Sequence, residues 1–263
     1  MTVKLFEPLD SDTISANLKL TRIGKKILIY KSTSSTNDVA LRCANKAASD
    51  GLAVFAENQT SGRGRGKNKW HCTAGKALIC SILLTGEKLP QQTISILSAV
   101  AAAEAVGDEA KIKFPNDIIM NNKKVAGILI ESRHDGNSNS FVIGIGINCH
   151  QQAEDFAEDI RDSATSIDLN SSRHCDRNIV ARRLLRAMDG WLKKAAKNPQ
   201  ALADAWQQRS LQFGQNVTVV YNGRKFTGVC MGIDTEKGLI LRMERGGIRV
   251  FEPAQSSILN IIN

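Results

Sequence analysis

The chain has 263 residues, 42% of them hydrophobic and 23% charged, a balance that suits a folded globular protein and excludes global disorder. Lys+Arg number 35 against 26 Asp+Glu, a formal net charge of +9, which fits anionic partners such as phosphates, nucleic acid or an acidic protein. The opening residues lack the apolar core of a secretory signal, and no stretch approaches the roughly 20 apolar residues that span a bilayer. The expectation is a cytoplasmic protein.

Residues 11–24 read as a short helix and a turn ending near Gly24. Lys26–Tyr30 is a compact strand pattern, and the polar run Ser32–Asp38 offers N-caps for a helix through Val39, Leu41 and Ala44. Val54–Ala56 and Leu78–Leu84 read as strands, the second apolar enough to be buried on both faces. A helix over Ile94–Val106 stops at Gly107. Strands follow at Lys111–Phe114, Val125–Ile130 and Phe141–Ile147, separated by turn formers at Pro115, Asn121-Asn122 and Asp135-Gly136-Asn137. Such short links favour antiparallel pairing.

A long helix over Asn178–Ala196 carries Val180, Leu184, Met188, Trp191 and Leu192 on one stripe, which reads Trp191 as core. A second helix covers Ala201–Gln208. From Asn216 the texture becomes VTVVY, Asn222-Gly223, RKFTGVCMGID, GLILRM and IRVFEP, a meander of short strands too small for an enzyme core by itself. The boundary falls between residues 1–212 and 213–263. The six cysteines are scattered with no C-x-x-C pair, so no dedicated zinc or redox motif is expected.

Three segments carry chemistry. In Ser61–Trp70, glycines at 62, 64 and 66 expose backbone N–H groups, while Arg63, Arg65, Lys67 and Lys69 supply cations. That is a cradle for phosphate or carboxylate; a loose RNA-binding Arg-Gly tract is the alternative. In Lys113–Asp117 and Lys124–Ile128, a hairpin through Asn121-Asn122 returns Lys124 to Asp117, which is either a charge-managing pair or an incidental surface ion pair. In Phe141–Asn148, Gly144 and Gly146 mark close approach to the backbone. No dinucleotide or G-x-x-x-x-G-K-[ST] fingerprint is present.

Taken in order, Ser35-Thr36-Asn37, Gln59, Gly62 to Trp70, Lys113 to Asp117, Lys124 to Leu129 and Gly144 to Asn148 resemble the signature of the biotin protein ligases. The resemblance covers roughly residues 10–260. Two positions depart from it: Gly66-Lys67-Asn68 stands where the family continues Arg-Gly-Arg, and Phe114 replaces the usual Trp.

The resemblance implies an α+β fold: a class II synthetase-like catalytic domain on a mixed, largely antiparallel sheet flanked by helices, followed by an SH3-like barrel. It implies ATP-dependent activation of biotin to biotinyl-5′-AMP, with Mg2+ accompanying ATP, and transfer to a lysine of a biotin carboxyl carrier protein. Lys124, Arg65 and Asp117 would be catalytic, Asp117 also being the nearest candidate for the metal. Binding of biotin or its adenylate would fall to Ser35, Thr36, Asn37, Gln59, Gly62, Arg63, Gly64, Arg65, Trp70, Lys113, Asn116, Lys124, Gly127, Gly144, Gly146 and Asn148. Too few residues precede Ser32 for a winged DNA-binding module, so the monofunctional type is expected, with an exposed sheet edge available for homodimerisation. A lipoate or octanoyl ligase is the alternative within the superfamily.

Overall fold

The computed structural model describes residues 6–44, 47–135 and 138–262. α1 (Ser11–Ser15) is capped by the Asp10 carboxylate, which accepts from the Thr13 N–H. The chain leaves it through Asn17 at φ 59° and turns at Gly24, φ 80°. β1 (Ile27–Tyr30), α2 (Thr36–Cys43) and β2 (Ala53–Ala56) follow, and the helical crossover makes β1 and β2 parallel.

β3 (Ala77–Thr85), α3 (Gln91–Val106), β4 (Lys111–Lys113), β5 (Asp117–Met120), β6 (Lys123–Asp135) and β7 (Ser138–Asn148) complete a seven-stranded sheet of order β1-β2-β3-β7-β6-β5-β4. Every pair other than β1–β2 is antiparallel, the mixed sheet expected. β6 and β7 outrun their apolar stretches because each continues to pair with the other through polar residues. Gly136-Asn137 of the expected turn between them lie outside the described residues. β5 has no apolar pattern of its own length and is legible only as half of the Asn121-Asn122 hairpin, where both asparagines take positive φ.

Strand alternation divides the sheet into two faces. Phe55, Leu78, Cys80, Ile82 and Leu84 pack toward α3, α4 (Arg177–Lys197) and α5 (Pro199–Arg209) in the main core. Val54, Leu83 and Val142 point the other way, onto Val39 and Ala40 of α2. Trp191 is only half-buried: its Nε1 donates to Glu104 at 3.0 Å and Lys194 sits over its ring. The fully buried tryptophan is Trp206 of α5.

β8 (Asn216–Tyr221), β9 (Arg224–Asp234), β10 (Gly238–Met243), β11 (Ile248–Phe251) and β12 (Ser256–Ile262) form the C-terminal antiparallel SH3-like sheet, order β11-β10-β9-β8-β12. Asn222 and Gly223, both at positive φ, make the tight β8–β9 turn. Val217, Cys230, Leu239 and Phe251 belong to the same hydrophobic cluster as Leu202 and Trp206. The C-terminal sheet is therefore joined to the larger sheet's helical layer through α5, and its β12 reaches the cleft described next.

Candidate active site

The floor of the cleft is built where β3 meets β7, with Ile79 opposite Gly146 and Ser81 opposite Gly144. Ser81 Oγ lies within hydrogen-bond distance of Thr36 Oγ1 (2.7 Å) and Asn37 Oδ1 (2.5 Å). Thr36 donates from both N and Oγ1 to Gln59 Oε1, at 2.8 and 3.1 Å. Asn37 Nδ2 donates to Glu131 at 2.6 Å. This is a preorganised and nearly neutral polar surface. A Cβ on residue 144 would lie 2.5 Å from Asn37 Oδ1, which is why glycine stands there.

The arginine loop is an ordered hairpin, which answers the alternative of a loose Arg-Gly tract. Gly64 N donates to Asn68 O (2.8 Å), Trp70 N to Gly62 O (3.0 Å), and Gly66 supplies the positive φ of the turn. Its two arginines have different surroundings. Arg63 forks onto Asp38 (3.1 and 2.7 Å) and also reaches Glu131. The Asp38 hydrogen bond raises the Arg63 pKa despite partial desolvation, and Arg63 in turn lowers that of Asp38. Arg65 instead donates to three backbone carbonyls of the barrel, Pro253, Ala254 and Ser256, at 2.9–3.1 Å, and to Asn116 Oδ1 at 3.3 Å. Burial lowers its pKa, and the Asp117 charge partly offsets that.

Trp70 lays its indole across the glycines of β6 and β7. A Cβ at Gly146 would meet the ring at 2.4 Å, and one at Gly127 at 3.2 Å. Its Nε1 is buried with no hydrogen-bond partner, a donor whose desolvation costs about 1–3 kcal/mol unless an acceptor arrives.

Asp117 and Lys124 face each other as the hairpin required: Lys124 Nζ lies 2.5 Å from Asp117 Oδ1. Lys124 is held from behind, since its N–H donates to Ser163 O and its carbonyl accepts from Thr165 N. Asn116 Nδ2 donates to Ile128 O at 2.8 Å, tying the turn after the cis Phe114-Pro115 bond to β6.

Together these groups line a single cleft open to solvent at its mouth. Of the catalytic and binding residues that the resemblance implies, all but Gly62 and Asn148 line it. Gly62 packs under Trp70 O, where a Cβ would come within 2.4 Å. Asn148 is turned away, donating to Thr165 O and accepting from Gln151, so it shapes the segment behind Lys124. Sequence reasoning missed Ser257 and Ile258 in the lining. It also missed Asp38 and Glu131, whose carboxylates hold Arg63. Their signal was weak: isolated acids on a helix and a strand.

Residues 29–148 match the model of the biotin/lipoate A/B protein ligase family. The biotin–[acetyl-CoA-carboxylase] ligase of Mycobacterium tuberculosis is 33% identical over 90% of this chain and 91% of its own length. The chain belongs to the biotin protein ligase family. Another relative, the bifunctional ligase/repressor BirA of Bacillus subtilis, is 32% identical over 92% of this chain and 77% of its own length. Among solved structures, the biotin protein ligase of Aquifex aeolicus in complex with biotin and ATP superimposes with a TM-score of 0.77, at 27% identity, over 89% of this chain and 98% of that one. Both comparisons extend beyond the first sheet into the C-terminal strands, so the barrel is part of what is shared. No helix among the described residues is long and apolar enough to cross a membrane.

Proposed function

We propose that this protein activates biotin with ATP to biotinyl-5′-AMP and passes the biotinyl group to a lysine of a biotin carboxyl carrier protein or domain. The observation that carries the reading is the polarity gradient of a single cleft. One end is the hydrogen-bonded, nearly neutral floor of Thr36, Asn37 and Gln59, suited to an uncharged heterocycle. The other end gathers Arg65, Lys113 and Lys124, with the lone Asp117, under the loop. An acyl-adenylate has those two ends in that order.

In the first step a biotin carboxylate oxygen bonds to the α-phosphorus and the bond to pyrophosphate breaks. Two anions must approach, and fixed positive charge is the group a protein supplies for that. Lys124 and Arg65 fill the role, with Asp117 holding the Lys124 ammonium in place. In the second step the acceptor amine attacks the acyl carbon, AMP departs, and the amine loses its proton. The hairpin of residues 62–70 covers the mixed anhydride from water. The unpaired Trp70 Nε1 supports an acceptor-bearing ligand in this cleft. Asp117 is the only carboxylate among the described residues that line it, and Lys124 already pairs with it. That donor set suits Mg2+ arriving on the triphosphate rather than a dedicated cation cage.

The test is incubation with ATP, magnesium and biotin, then mass spectrometry for biotinyl-AMP, with lipoate and octanoate in parallel. Adenylate formed from biotin supports the reading. Adenylate formed only from lipoate or octanoate overturns it.

A further inference from the structure

Beyond the cleft, two of the chain's four histidines converge on one buried carboxylate. His150 follows β7, and His174-Cys175 precede α4. His150 Nδ1 lies 2.8 Å from Asp168 Oδ2, and His174 Nδ1 lies 2.5 Å from the same oxygen. Cys175 Sγ lies 3.9 Å from His150 Nδ1. One ligand atom from each of His150, Asp168 and His174 falls within 4.8 Å of the others. Asp168 Oδ1 is engaged by the Cys175 N–H at 2.7 Å, which orients the carboxylate and leaves Oδ2 facing both rings.

We propose that His150, Asp168, His174 and Cys175 form a structural site for a zinc-class divalent cation, separate from the adenylate cleft.

Four arguments carry it. First, two imidazoles, a thiol and a carboxylate are the donor mixture that selects zinc and its borderline neighbours over magnesium or calcium. Second, the spacing is within reach of small side-chain rotations. A tetrahedral ion with bonds of about 2.0 Å to nitrogen and 2.3 Å to sulfur sets its ligands roughly 3.3–3.6 Å apart, so the Nδ1–Oδ2 contacts of 2.8 and 2.5 Å must open by about 0.5–1 Å, while Cys175 Sγ, now 3.9 Å from His150 Nδ1, swings in to complete the set. Third, the shell is built. The His150 and Asp168 side chains are 4% and 3% exposed, and the Phe6 ring stacks on His150 at 4.0 Å and 3°. The His174 side chain, 51% exposed, forms the open flank through which an ion enters. Fourth, none of the four residues lines the cleft.

The proton balance is simple. On binding, each imidazole presents Nδ1 to the ion as a lone pair, and any proton held there passes to Nε2 or to solvent. Cys175 releases one proton to solvent as its thiolate forms. The ion then ties together three stretches of chain. Ile167 N donates to Asn148 O, Asp168 N to Cys149 O and Thr165 N to Lys124 O, so the site fastens the strip that backs Lys124. Sequence spacing gave no hint, because His150 lies 18 residues before Asp168 and the set forms none of the paired zinc motifs.

The experiment uses the full chain, stripped with chelator under a non-thiol reductant and then titrated with zinc or cobalt. Expected are one ion bound per chain, the visible bands of tetrahedral cobalt with a near-ultraviolet sulfur-to-cobalt band, and a melting temperature that rises with zinc. Cys175→Ser should abolish the sulfur band. His174→Ala, at a half-exposed position that should not impair folding, should weaken zinc binding at least about 100-fold. Cys72→Ser should change neither. Absence of stoichiometric uptake overturns the proposal, and so does uptake undiminished in both ligand variants while circular dichroism reports a native fold.

Discussion

Replacing Gly146 by alanine tests the cleft at its tightest contact. The new methyl would lie 2.4 Å from Trp70 Cε2 and 2.5 Å from Cζ2. Carbon–carbon contacts settle near 3.5–4.0 Å, so the indole has to retreat by about 1 Å. The backbone does not object, because Gly146 sits in regular β7 and is not among the positive-φ glycines. The cost is overpacking alone, about 1–3 kcal/mol, or roughly 2–12 °C in melting temperature for a chain of this size. Function suffers more. Trp70 anchors the hairpin through its hydrogen bond to Gly62, and a misplacement of about 1 Å can cost on the order of 100-fold. Pyrophosphate release with biotin and ATP should therefore fall about 100-fold, alongside the thermal shift. Gly190→Ala is the control. That residue lies inside α4 with nothing within 4 Å of its would-be Cβ, so alanine there should add about 0.5–1 kcal/mol and leave turnover unchanged. In a Trp70→Leu background the thermal penalty of Gly146→Ala should largely vanish. An equal penalty in both backgrounds would refute the steric account.

Three further outcomes follow from the same geometry. Lys124→Ala should slow adenylate formation by roughly 100- to 1000-fold with a native circular dichroism spectrum; single-turnover rates within threefold of the parent would remove Lys124 from the chemistry. Arg65→Lys keeps the charge but has no planar fork for the carbonyls of Pro253, Ala254 and Ser256, so proteolysis within residues 62–70 should accelerate and adenylation should drop at least about 10-fold; unchanged protection would deny the clamp. Asp189 concerns stability. Burial would raise its pKa, but hydrogen bonds from the Thr21, Arg22 and Ile23 N–H groups hold it below the usual carboxylate range. A lowered folded pKa contributes stability that is present above the unfolded value of about 3.9 and lost as pH falls through the folded one. Asp189→Asn should thus cost about 1–3 kcal/mol at neutral pH, with the gap to the parent closing in acid; a gap constant from pH 7 to pH 3 contradicts this.

What the sequence revealed and what it hid divide along a physical line. The Asn121-Asn122 turn was legible because its positive φ favours those residue types locally, and Gly144 and Gly146 were legible because glycines inside a strand mark close approach by another group, here Asn37 and Trp70. β12 was not, because Ser256–Ile262 has no clean alternation and its place depends on pairing with β8. The two arginines show the same divide at the level of a single side chain. In the sequence Arg63 and Arg65 are equivalent members of an alternating pattern. In the fold Arg63 is answered by two carboxylates, Asp38 and Glu131, so its charge is cancelled. Arg65 is answered by carbonyls contributed from 188 residues or more along the chain, and carbonyls cancel no charge. With Lys113, Lys124 and Asp117 beside it, that corner keeps a net positive charge. Long-range partners thus decide which arginine is free to meet a phosphate. Because burial of Arg65 strengthens what remains of that charge, the C-terminal segment that supplies those carbonyls contributes to the electrostatics of the cleft.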